Sequence, residues 1–199
     1  MSMNLQRYDL VRHGRVLATR ELGREVGRHM ADILGGSDGV LASLWQVDVA
    51  SLPFLTEMLI ALRAHLAADD RSLLLFAGMN EDVRESLELA ARRQKMSVAA
   101  LANDQVELLG GSAQLADTLR AAQEAGEFTA PDLADRLSIK LPALHQRLNI
   151  LVEAGALSRE DDSTATRGRR SKYKTLSQSD VDELSDGLAP EEIAAVTTA

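Results

Sequence analysis

Apolar positions along the first half recur at two periods, one suited to strands and one to helices. Tyr8 to Val11 and Arg15 to Ala18 predict two short strands joined by a turn around His13-Gly14. Leu22, Val26, Met30, Ile33 and Leu34 recur at helical spacing, so a helix is predicted from the cap Thr19 to Leu34, stopped by Gly35-Gly36. Val40 to Leu44 predicts a buried strand and Ser51 to Leu66 a second helix. The run Leu73-Leu74-Leu75-Phe76 predicts a central strand, because an unbroken apolar run suits a strand covered on both faces. A third helix follows from Glu81 to Lys95, with Val83, Leu87 and Ala90 inward. Val98 to Leu101 and Gln105 to Leu109 complete an α/β layer, partly parallel, with helices packed on a mixed sheet.

After Gly110-Gly111-Ser112 the pattern changes to short helices over about 112–125, 130–137 and 141–154, followed by a hairpin-like stretch over 156–176. Three units are therefore expected: an α/β domain over 1–110, a helical domain with a hairpin over 111–176, and an acidic tail over 177–199. The tail carries six acids and no base, with room for a short helix near 181–188. Thr129 is placed to cap the middle helix, with Pro131 in its first turn. Ser138-Ile139 makes the tight turn into the next helix. That helix puts Leu144, Leu148, Leu151 and Val152 inward and Lys140, Ala143, His145, Gln146, Arg147 and Asn149 largely outward. Gly155 ends it as a left-handed cap.

Charge changes what this pattern suggests. The net charge of −8 argues against a polyanionic partner, but its distribution does not. Residues 136–174 hold nine bases against four acids, while the segments 1–111, 112–135 and 175–199 are net acidic. Within that basic segment, Arg167, Arg169, Arg170, Lys172 and Lys174 fall in eight residues without an acid. Polar groups on a helix face reach base edges, and a basic hairpin neutralises phosphates or enters a minor groove.

Composition narrows the classes further. Apolar residues make up 45% and aromatics 3%, so the cores are built from Leu, Ala and Val. The absence of cysteine excludes disulfides, thiol catalysis and Cys-based zinc sites, and it suits a reducing compartment. No segment approaches the roughly 20 apolar residues of a membrane span, and MSMNLQRYDL lacks a signal-peptide core, so a cytoplasmic protein is expected. Enzyme chemistry finds no foothold. The glycine pairs lack phosphate-loop spacing, His13, His29, His65 and His145 form no i,i+4 pair for a metal, and Asp69-Asp70 and Asp161-Asp162 read as solvated loop acids. No catalytic residue, metal or cofactor is expected.

The stretch RLNILVEAGALSRE…GRRSKYKTL resembles the recognition helix and wing of the MarR/ArsR-type winged helix-turn-helix regulators. The resemblance covers about a third of the chain. It implies an α+β winged-helix fold, double-stranded DNA as partner, a homodimer on near-palindromic sites, and insertion of the second helix in a major groove with the wing on the backbone. Leu141-Pro142-Ala143 departs from the hydroxyl-bearing residues common at that helix start, leaving His145, Gln146 and Asn149 as the best base contacts. The first half, with TRELGREVGRHM opening its first helix, resembles the STAS-like domains of bacterial regulators. That implies a partner-binding switch and makes Ser51 a candidate phosphoacceptor, although the Asp-Ser-Ser-Gly signature is absent and a plain N-cap is the simpler role. The expected function is a DNA-binding transcription regulator whose first domain receives a signal or protein partner. The alternative is a regulatory adaptor that binds only proteins.

Overall fold

The computed structural model describes residues 5–66, 72–102, 105–162 and 170–176. The architecture is mixed α/β, with six α-helices and a mixed parallel and antiparallel main sheet among the described residues. The first half runs β1 (Leu5–Asp9), β2 (Val16–Leu17), α1 (Arg20–Leu34), β3 (Gly39–Ser43), β4 (Val49–Ala50), α2 (Leu52–Leu66), β5 (Leu73–Ala77), α3 (Glu81–Arg93), β6 (Val98–Ala102) and β7 (Gln105–Leu109). The second half contains α4 (Ala113–Ala125), β8 (Glu127–Thr129), α5 (Ala130–Leu137), α6 (Leu141–Glu153), β9 (Ser158–Asp162) and β10 (Arg170–Lys174). No helix among the described residues is long and apolar enough to cross a membrane.

The main sheet has the order β1-β3-β5-β6-β7. Its first four strands are parallel, with Leu5 opposite Gly39 and Gly39 opposite Leu73, while β7 closes the edge antiparallel to β6. Each parallel step is bridged by one helix, so the chain advances across the sheet in one direction. Alternation along the strands then separates two cores. Tyr8, Val40, Ala42, Leu74, Phe76, Val98 and Ala100 join the inner faces of α1, α2 and α3 in one cluster. Leu41, Leu73, Leu75, Ala77, Ala99 and Leu101 join Leu115, Leu119, Leu144, Leu148 and Leu151 of α4 and α6 in the other. The second half of the chain therefore covers the sheet's other face, which explains why every residue of β3 and β5 is buried.

Small residues bring the layers close. A Cβ on Gly23 of α1 would lie 2.2 Å from the Phe54 carbonyl oxygen of α2, and one on Gly27 would lie 2.6 Å from that of Met58. At the other face, Gly155 after α6 has φ 72°, and a Cβ there would lie 2.7 Å from the Leu74 Cβ. The backbone joins at the same point. Leu74 donates its amide to the Gly155 carbonyl (3.0 Å), and Ala99 donates to that of Ala154 (3.3 Å).

Several expectations change in detail. β1 and β2 do not form a hairpin. Leu10–His13 is a 3-10 turn ended by Gly14 at φ 115°, and it sends β2 away to pair in parallel with β4 in a separate two-stranded sheet. α3 stops at Arg93, because Lys95 takes a left-handed φ of 53° and the amides of residues 94–96 close onto the last carbonyls of the helix. Thr19 caps α1 by accepting the Leu22 amide at 3.2 Å. Thr129 stands at the start of α5, but its hydroxyl donates to the Asp132 carboxylate at 2.6 Å instead of accepting a backbone amide. β8, a strand that the sequence pattern does not predict, pairs with β10, so the expected hairpin is a three-stranded antiparallel sheet of order β8-β10-β9.

Candidate nucleic-acid interface

The helical pair α5–α6 is held by its apolar sides. Leu133 and Ala134 of α5 and Leu144, Leu148, Leu151 and Val152 of α6 are buried. Ser138, at φ 53°, makes the left-handed turn between the helices. α6 has no side-chain cap at its start, and Pro142 occupies its first turn, where a missing N–H costs nothing. Phe128 of β8 stacks on Tyr173 of β10 with ring centroids 5.6 Å apart, which fixes the small sheet behind the helices.

Opposite the buried side, Lys140, Ala143, His145, Gln146 and Asn149 are all exposed, as are Leu141 and Pro142 at the helix start. These residues form one polar strip with an apolar tip. Arg147 does not join it. Half-buried, it turns back to α4, where its guanidinium donates to Thr118 Oγ1 at 3.3 Å and Gln114 Oε1 at 3.4 Å. Asn149 is exposed but engaged, with its Oδ1 accepting from Arg159 of β9 at 3.1 Å. That contact ties the helix strip to the hairpin.

The hairpin's charge balance departs from the count along the chain. β9 brings Glu160, Asp161 and Asp162 across from β10, with Arg170 opposite Asp162 and Lys172 opposite Glu160 in the register. Lys174 Nζ pairs with Glu160 at 3.1 Å, and Lys172 Nζ pairs with Glu127 of β8 at 3.3 Å. Both pairs are partly exposed, so they are worth little in stability, but each offsets a cation otherwise available to a phosphate. Sequence reasoning missed this because the compensating acids are supplied by register, not by neighbours in the chain. Arg167 and Arg169 lie outside the described residues.

The chain matches no known family, curated protein or solved structure.

Ser51 lies elsewhere, at the start of α2. Its hydroxyl donates to the Ala18 carbonyl at 2.7 Å and accepts the Phe54 amide at 3.3 Å. It therefore caps the helix and clamps the chain leaving β2, where the Ser51 amide also donates to the Leu17 carbonyl at 2.8 Å. Both hydrogen-bonding roles of the hydroxyl are in use.

Proposed function

We propose that the protein is a cytoplasmic, non-enzymatic DNA-binding regulator of transcription that uses residues 111–176 as a winged helix-turn-helix. On this reading α6 enters the major groove and the β9–β10 hairpin is the wing. The observation that carries the proposal is the exposed strip Lys140, His145, Gln146 and Asn149, on a helix whose opposite side is fully committed to the core. The order helix–strand–helix–helix–strand–strand and the tight turn at Ser138 support it, since this is the arrangement in which the second helix of the pair faces the groove. Gln146 supplies an amide suited to an adenine edge and Lys140 a contact to phosphate, while Asn149, whose Oδ1 accepts from Arg159, offers its Nδ2 donors. Arg167 and Arg169, outside the described residues, are the further bases that this reading assigns to phosphate. Two copies on a near-palindromic site match the same reading, with the STAS-like α/β layer receiving a protein partner or signal.

The paired lysines of β10 favour a second reading, a regulatory adaptor that binds proteins alone, because they reduce the free positive charge of the hairpin. A salt series on selected duplex DNA separates the two. DNA binding through this face gives an affinity that falls steeply with salt, with a shallower slope after Arg169→Ala and Arg170→Ala. Gln146→Ala weakens the selected site more than random DNA by about 1–3 kcal/mol. No binding at low salt leaves the adaptor.

A further inference from the structure

A cavity of about 360 Å3 lies at the seam where α2 and α3 meet the second half of the chain. That is within the size range of small-molecule sites. Three cations line it: Arg63 from α2, Arg92 from the last turn of α3, and Lys95 from the turn that follows. Glu153, at the end of α6, is the acid among the lining residues. Arg92 already pairs with Glu88 at 2.7 Å, and Arg63 donates to the Gln94 carbonyl at 3.1 Å. Those contacts hold the two guanidiniums in place, and each keeps further N–H donors for a ligand. Lys95 makes no ion pair with a described residue, and its left-handed backbone is what places it at this end of the helix.

A helix C-terminus ordinarily repels an anion, because its last carbonyls point outward. Here three of those of α3 are occupied: Gln94 donates to Ala90 and Ala91, Lys95 to Arg92, and Met96 to Ala91. The floor is apolar and comes from both halves of the chain, with Met96 before β6, Leu115 of α4 and Ile150 of α6. Ser97 also lines the cavity. It is 6% exposed, and its hydroxyl bonds to no described group.

We infer that this cavity binds a small phosphate monoester. Glu88 offsets Arg92, which leaves Arg63 and Lys95 as the cations that face an anionic head, with Arg92's remaining N–H groups and the Ser97 hydroxyl as added hydrogen-bond donors. The apolar floor takes the organic group and puts it against the end of α6. The assignment stands on the seam alone and holds whether or not the protein binds DNA.

The test uses the full chain at low salt with phenyl phosphate, benzoate and benzyl alcohol, read by calorimetry and by amide chemical shifts. Phenyl phosphate is expected to saturate, to shift the amides of Met96, Ser97, Gly110 and Ala154, and to bind about tenfold or more tighter than benzoate. Benzyl alcohol is expected to give no saturation. Arg63→Gln combined with Lys95→Asn weakens phenyl phosphate by about tenfold or more, while Arg63→Lys retains most of the affinity. Both substituted side chains are exposed, and Asn tolerates the left-handed backbone, so an unchanged melting temperature shows the double variant to be folded. Undiminished binding by that folded variant, shifts confined to other surfaces, or equal affinity for benzoate each overturns the assignment.

Discussion

Both faces of the sheet's central strands β3 and β5 are buried, yet they are covered by chain of different kinds. On the first face, α1, α2 and α3 are the crossovers that the parallel strands require, each delivered to its place by the strands before and after it. On the second face, the cover is a segment that begins only after the last strand of the sheet and carries its own small sheet. The first cover follows from connectivity, whereas the second has to find its site. Complementarity does that work through the alternate leucines of β3 and β5, the glycine at 155 and two backbone hydrogen bonds. A helical segment that offers an exposed polar strip on one side is thus also the lid of the α/β core on the other.

That contrast is open to direct tests. The largest effect is expected from ending the chain at Gly110. The fragment keeps every crossover but exposes Leu41, Leu73, Leu75 and Ala99, so it is expected to lose its sharp thermal transition and to bind hydrophobic dyes. A cooperative melt like that of the full chain would show the first face to be self-sufficient. Next comes Gly155→Ala, which combines a left-handed backbone with overlap against Leu74. About 3–5 kcal/mol of destabilisation is expected in denaturant titration. The smallest of the three is Gly23→Ala on the opposite face. Its clash with Phe54 is partly offset by the better helix propensity of alanine, leaving a loss of about 1–3 kcal/mol. A reversed order for the two glycines would mean that the second cover is held more loosely than its geometry implies.

How far each region could be read in advance follows the same division. The helical period of Leu22, Val26 and Met30, the run Leu73 to Phe76 and the glycine at 155 all announce their elements, because local burial patterns encode them. β8 escaped because three residues are too few to show alternation, and its pairing with β10 is decided by a partner more than forty residues away. The inward turn of Arg147 depends on Thr118 and Gln114, which nothing near Arg147 signals. The basic run of the hairpin is legible as composition, but the pairing of Lys172 with Glu127 and of Lys174 with Glu160 is decided across strands. The unbroken apolar strand showed that something covers the second face; only the fold shows that the cover comes from the same chain.

The two hydrogen bonds at Ala154 and Gly155 have a consequence in time as well as in space. The amides of Leu74 and Ala99 donate not to a neighbouring strand but to the end of α6. Hydrogen exchange at these two protons therefore reports separation of the lid from the sheet, while the other amides of β5 and β6 report the opening of the sheet itself. Comparing their rates turns the seam into a clock, read at two named nuclei, for how often the second half of the chain lets go of the first.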